Sequence, residues 1–200
     1  MRSRNPTFFE AVMLVRFVRL FAVLFALLPG VFSMSASAAP ALDPENTIYL
    51  DLPAGRVVIQ LRPDLAPAHV ARIKELTRKG FYDGLSFHRV IPDFMAQTGD
   101  PRGDGTGGSG QKLKAEFSKE HHLRGTVSMA RAASPDSADS QFFICFAPAP
   151  FLDGQYTIWG QVTSGMEFVD KIKAGSPYNN GAVTDPTKIV HMRVAADVKD

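Results

Sequence analysis

Cysteine is nearly absent: Cys145 is the one cysteine in 200 residues. That excludes an intramolecular disulfide framework and any cysteine-based zinc cluster. Charge of neither sign dominates, with 22 Lys+Arg against 20 Asp+Glu. No uncharged apolar run reaches the roughly 20 residues that a membrane-spanning helix needs. The 16 glycines and 14 prolines lack an every-third-residue period, which excludes a collagen-like fibre. What is present is ordinary for a folded chain. Hydrophobic residues make up 45% and charged residues 21%, whereas disordered chains combine low hydrophobicity with high net charge.

An apolar segment without a charge covers residues 20–32, preceded by Arg2, Arg4, Arg16 and Arg19 and followed by Ser33-Met34-Ser35-Ala36-Ser37-Ala38-Ala39. Basic flank, short apolar segment and small-residue end form the layout of a cleaved signal peptide. Pro29-Gly30 would break a helix near the end of the run, which argues against an anchor. Ala36-Ser37-Ala38 supplies the cleavage pattern, so residues 1–38 are expected to be removed and the mature chain to begin at Ala39. Met13 is an alternative start that shortens the basic flank. No adjacent arginine pair precedes the run, which favours export of an unfolded chain. Localisation is expected to be periplasmic or secreted, without a stable membrane anchor. Loss of four Arg and one Glu leaves 18 basic against 19 acidic side chains, a net charge of −1. Nucleic-acid binding calls for a phosphate-neutralising basic face, and this balance gives it no support. Cys145, within Phe142-Phe143-Ile144-Cys145-Phe146, reads as a small core residue.

Residues 39–46 look like a short tether, and 47–200 fit one domain. Thr47-Ile48-Tyr49-Leu50-Asp51-Leu52 alternates apolar residues with a period of two, the mark of a half-buried strand. Pro53-Ala54-Gly55 connects it to a second hairpin arm over 56–61. Pro67 suits the first turn of a helix whose stripe is Val70, Ile73 and Leu76, ending near Gly80. Further strands are predicted at 86–91, 94–98, 126–130, 141–146, 157–162 and 188–198. Ser164-Gly165-Met166-Glu167 reads as a capping box opening a second short helix, with Met166, Val169 and Ile172 on one face and Gly175 closing it. Many short strands with two helices point to a single all-β barrel or sandwich.

Several motifs fail. Gly105-Thr106-Gly107-Gly108-Ser109-Gly110 matches G-x-G-x-x-G but lacks the strand-to-helix context of a dinucleotide site, and Gln111-Lys112 follows where a phosphate loop needs Lys then Ser or Thr. It reads as a flexible surface loop. His121-His122 is not spaced for one helical face, and no metalloprotease, calcium-loop or serine-hydrolase pattern occurs, so no metal or cofactor is expected.

Three stretches carry more information. They are Phe87-His88-Arg89-Val90-Ile91-Pro92-Asp93-Phe94-Met95-Ala96-Gln97-Thr98-Gly99-Asp100; then Ser128-Met129-Ala130-Arg131 with Ser140-Gln141-Phe142-Phe143-Ile144; and Phe151-Leu152-Asp153-Gly154-Gln155-Tyr156-Thr157-Ile158-Trp159-Gly160. In this order and spacing they resemble the cyclophilin-type peptidyl-prolyl cis-trans isomerases, over 47–198. The resemblance implies a closed eight-stranded antiparallel β-barrel capped by two α-helices. It implies Arg89 as the catalytic arginine, with Gln97 orienting it. Phe94, Met95, Phe143 and Leu152 match the pocket for the proline ring, and Gln97, Ala130, Arg131 and Gln141 the groove around the peptide backbone, with residue 131 acting mainly through its main chain. Phe151 and Tyr156 stand at substrate-binding positions where eukaryotic members usually carry Trp and His, and Trp159 where Phe is frequent. Phe151 lacks an indole donor, so cyclosporin binding is expected to be weak.

The expected partners are proline-containing, unfolded or partly folded polypeptides, and the expected state is a monomer. A binding or holdase module with incidental isomerase activity is the main alternative. A barrel carrying small ligands or single-stranded nucleic acid would need an empty interior or a basic aromatic groove, and neither is legible.

Overall fold

The computed structural model describes residues 42–199, so the expected leader and its cleavage site lie outside the described residues. Eight strands form one antiparallel sheet: β1 (Thr47–Leu52), β2 (Gly55–Leu61), β3 (Arg89–Ile91), β4 (Met95–Thr98), β5 (Thr126–Met129), β6 (Phe142–Cys145), β7 (Ile158–Ser164) and β8 (His191–Val194). Their order is β3-β4-β6-β5-β7-β2-β1-β8. The expected closed barrel is not what the ladders form, because β3 and β8 are edge strands with no ladder between them. Instead, the first residue of β3 and the stretch before it meet the stretch before β8 through single bridges, Arg89 with Ala182 and Ser86 with Lys188, and through bonds such as Phe87 N to Thr187 O at 2.9 Å.

Alternation explains the core. Ile48, Leu50 and Leu52 of β1 and Val57, Ile59 and Leu61 of β2 point inward, and all are buried. Strand β6 is buried on both faces. Phe142 and Ile144 join the main core with Val90, Ala96, Met129 and Trp159, while Phe143 and Cys145 belong to a second cluster with Met95, Ala149 and Leu152. That second cluster lies on the face that carries the site. Cys145 is the core residue expected, and burial pushes its thiol up to about 12.

Helix α1 (Pro67–Arg78) opens on proline, whose missing amide hydrogen would have had no helical acceptor there. Val70, Ile73 and Leu76 form its buried stripe. It packs against β7 and β8, and α2 (Met166–Val169) packs against β2. The expected capping box does not form. Ser164 is paired with Val58 as the last residue of β7, and Gly165 takes the cap position at φ 88 without a side-chain bond. The helix ends at Val169, short of Gly175. Nor are residues 44–46 of the expected tether loose. They make a 3-10 turn in which Glu45 pairs with Lys74 at 2.6 Å and Arg78 at 2.9 Å.

Candidate active site

The site begins with a hairpin. In β3 and β4, Arg89 is the direct cross-strand partner of Gln97, so both side chains leave the same face. Met95, two residues before Gln97, shares that face, and Phe143 pairs with Gln97 from the other side. The turn between the strands carries Pro92 and Asp93, the latter in the left-handed region at φ 59, and is closed by Phe94 N to Ile91 O at 3.1 Å. Gly99 follows β4 at φ 86, and a Cβ there would run into the Ser140 carbonyl. That close approach seats β4 beside the start of β6.

The guanidinium of Arg89 is fixed on two sides. Its Nη1 donates to Gln97 Oε1 at 3.1 Å, and Nε and Nη2 donate to the backbone O and Oδ1 of Asn180, each at 3.0 Å. Gln97 Nε2 donates to Gln141 Oε1 at 2.9 Å, and Gln141 Nε2 donates to the carbonyls of Gly105 at 3.0 Å and Gly107 at 2.8 Å. A chain of neutral amides thus leads from the arginine into the glycine-rich loop. Burial lowers the Arg89 pKa from its ordinary value. An arginine nonetheless stays protonated at physiological pH.

Arg89, Gln97, Phe94, Met95, Ala130, Arg131, Phe143, Phe151, Leu152 and Tyr156 line one cleft of about 370 Å³, joined by Gln155. Gln141 lies in an adjoining cleft of about 310 Å³, which shares Gln97, Ala130 and Arg131 as its walls. All eleven sequence-predicted residues therefore lie on one continuous surface. Met95, Phe143 and Leu152 form the buried floor. Phe94 and Phe151 meet at the rim, their ring centroids 5.2 Å apart, and Phe151 is 62% exposed. Tyr156 meets Phe143 edge-on. The Arg131 side chain is itself engaged, donating to Gln155 O at 3.0 Å with its guanidinium carbon 4.5 Å from the Tyr156 ring centre.

Sequence reasoning missed three features. Asn180, 91 residues from Arg89, has no local signal beyond an Asn-Gly turn. The glycine-rich loop is tied down rather than loose: Asp100 accepts from the amides of Arg102, Asp104 and Gly105, and Asp139 from those of Ser109 and Gly110. The third is a clamp behind the floor. Asp153, directly after Leu152, accepts from His122 N at 2.8 Å, His122 Nδ1 at 2.9 Å and His121 Nδ1 at 2.6 Å. The buried His122 ring stacks on Phe143.

The His121 bond, then those from His122, hold the Asp153 carboxyl well below the usual carboxylate range. A depressed carboxylate pKa contributes stability that is present above the unfolded value, about pH 4, and lost as pH falls through the folded value. Wild type is therefore expected to be more stable than Asp153→Asn at pH 7, with the gap closing as pH falls below about 4. Urea unfolding of both proteins across that range checks this, and a pH-independent gap would contradict it. Burial lowers the His122 pKa, which costs stability as pH falls below about 6.5. Exposed His121 is raised by Asp153, so its contribution has the opposite sign, present below about 6.5 and lost as pH rises through its folded value.

Comparison with known proteins agrees with this geometry. The family model described as "Cyclophilin type peptidyl-prolyl cis-trans isomerase/CLD" matches residues 47–194. A protein named probable peptidyl-prolyl cis-trans isomerase from Brucella suis biovar 1 (strain 1330) is 56% identical over 177 residues, 82% of this chain and 90% of that one. Peptidyl-prolyl cis-trans isomerase B of Bacillus subtilis (strain 168) is 46% identical over 122 residues, 60% of this chain and 85% of its own. Cyclophilin AquaCyp293 from Hirschia baltica has a similar structure, with a TM-score of 0.71 at 26% identity over 79% of this chain and 77% of that one. A cyclophilin type isomerase from Cryptosporidium parvum, crystallised in the presence of the dipeptide Ala-Pro, gives 0.68 at 27% identity over 74% and 98%. With the family model spanning most of its length and the strand register, the arginine and the apolar cleft all in accord, this chain belongs to the cyclophilin-type peptidyl-prolyl cis-trans isomerases.

Proposed function

We propose that the Arg89 cleft binds a proline-containing segment and that Arg89, oriented by Gln97, lowers the barrier to rotation about its Xaa-Pro bond. One observation carries this reading: a guanidinium held by neutral amides stands over an apolar floor of Met95, Phe143 and Leu152. The uncatalysed barrier is ~18–20 kcal/mol, because the nitrogen lone pair is delocalised into the carbonyl. As the bond twists, the prolyl nitrogen becomes pyramidal and regains an acceptor lone pair. A charged donor beside it bonds the twisted state better than the planar one, so it accelerates rotation rather than merely tightening binding. Such a bond is worth about 1.5–3 kcal/mol. Bringing tens of seconds into milliseconds takes about 10⁴–10⁵-fold, or roughly 5.5–7 kcal/mol. The remainder falls to the pocket, which fixes the ring and excludes water, and to the groove of Ala130, Arg131 and Gln141 that holds the peptide backbone. The chemistry calls for no nucleophile, metal or cofactor.

Phe94→Ala is expected to weaken binding of an Ala-Pro peptide about tenfold, because the rim loses its contact with Phe151 and one wall of the proline pocket. Titration followed by NMR checks this, and unchanged affinity would show that the proline ring does not sit there.

Three further parts belong to the same reading. A barrel completed by isolated bonds instead of a ladder is supported by the bridges Ser86 with Lys188 and Arg89 with Ala182. Residues 1–38 act as a signal peptide, and the domain works as a monomer on exported proteins, in the periplasm or outside the cell, as a folding catalyst. Cyclosporin binds weakly, since Phe151 offers no hydrogen-bond donor at the rim. Amino-terminal sequencing of the exported protein is expected to begin at Ala39; recovery of an uncleaved chain from the cytoplasm would contradict export.

A further inference from the structure

We propose that Asn180 is a positioning residue for the isomerisation, holding the Arg89 guanidinium from the side opposite Gln97. The inference rests on the reading that Arg89 acts in the reaction. One residue supplies both acceptors for one edge of the fork: its backbone O takes Nε and its Oδ1 takes Nη2, each at 3.0 Å. That is the bidentate grip a carboxylate gives an arginine, made here by a neutral side chain. A carboxylate at this point would offset the charge that the twisting prolyl nitrogen must meet. All three acceptor atoms that bind the Arg89 guanidinium are neutral, so the full positive charge is kept.

A guanidinium has five N–H groups. Gln97 takes one and Asn180 takes two, leaving one hydrogen on each terminal nitrogen for substrate. Losing the Oδ1 contact frees the fork to turn about its Nε–Cζ bond, and the hydrogens aimed at the substrate are no longer fixed.

Asn180 is built into place from both ends. It adopts a left-handed conformation at φ 59, which asparagine tolerates better than most residues. The segment around it is bonded to β3 and its approach: Val90 N to Gly181 O at 2.8 Å, Gly175 N to Val90 O at 3.0 Å and Val183 N to His88 O at 3.0 Å. A loop 91 residues away in sequence is thereby clipped to the strand that bears the arginine.

The test compares wild type, Asn180→Gly, Asn180→Asp and Arg89→Ala. Glycine suits the left-handed backbone and keeps the carbonyl acceptor, so Asn180→Gly removes the Oδ1 bond alone. It is expected to lower kcat for an Ala-Pro peptide about tenfold, with KM within twofold of wild type and the urea midpoint unchanged. Guanidinium NMR of Arg89 should show faster rotation about Nε–Cζ. Asn180→Asp restores an acceptor, so slow rotation is expected to return, yet kcat stays low because of the added charge. Unchanged kcat in Asn180→Gly, a loss confined to KM, or a lower kcat with unaltered guanidinium rotation would each overturn the positioning role. Arg89→Ala separates the two levels. If it retains activity, the reading of the cleft fails; if it is inactive while Asn180→Gly matches wild type, only the role of Asn180 fails.

Discussion

Arg89→Ala is expected to lower kcat/KM for Xaa-Pro isomerisation by roughly 10²-fold while the protein remains folded. The size follows from the bond that is lost. A hydrogen bond from a charged donor is worth about 1.5–3 kcal/mol net, which is about 10- to 150-fold in rate, and the partly buried setting of Arg89 favours the upper end. The fold should survive because Arg89 sits on an edge strand with its side chain directed into the cleft, and its two partners, Gln97 and Asn180, are left facing water rather than sealed in the core. Arg89→Lys is expected to lose nearly as much. A lysine keeps the charge but presents it as a point, and cannot engage Gln97 and Asn180 while keeping a hydrogen for the substrate on each side. Activity close to wild type in Arg89→Lys would show that charge alone suffices.

The largest stability effect is expected from Trp159→Ala. The ring is fully buried in the main core, edge-on to Phe142 with centroids 5.3 Å apart, and Phe142 in turn meets Tyr82 at 5.5 Å. Removing a buried tryptophan side chain costs about 3–5 kcal/mol through lost transfer energy and the cavity left behind. That is a large part of the ~5–15 kcal/mol by which a domain of this size is stable. Trp159→Phe should cost much less than Trp159→Ala. The indole N–H has no protein acceptor within hydrogen-bond distance, so phenylalanine gives up part of the ring but no hydrogen bond to the protein. Urea unfolding of the three proteins checks the order, and a Trp159→Ala midpoint near wild type would contradict the packing described.

Local chemistry was legible in the sequence where local chemistry decides. Strand β1 ends where its alternation ends, and the stripe of α1 is buried as its spacing predicts. The strand predicted over 86–91 is shorter, because residues 86–88 meet the 183–188 stretch through one bridge, Ser86 with Lys188, and not through a ladder. The one predicted over 188–198 stops at Val194, where a 3-10 turn begins. At Ser164 two uses of one residue competed, and strand pairing with Val58 prevailed over the helix cap. A capping motif reports only what a serine can do locally, whereas the pairing depends on a residue far off in the chain.

The same division runs through the site. Arg89 and Gln97 share a hairpin, so their pairing could be read from sequence once the strands were recognised. Asn180 and the glycine loop could not, since each reaches the arginine through tertiary contacts with no periodicity to announce them. Its glycines alone predict a flexible loop. Gly107 in fact makes room for the Asp100 carboxylate, against which a Cβ would collide.

The most direct test of the central claim is cis–trans exchange in an Ala-Pro peptide, measured by NMR with a catalytic amount of the folded wild-type protein. Uncatalysed exchange takes tens to hundreds of seconds. Acceleration into the millisecond range at the protein, abolished when the cleft is filled by a competing proline peptide, is the result expected. Folded protein that binds the peptide through the cleft and leaves its exchange rate unchanged would contradict catalysis at this site.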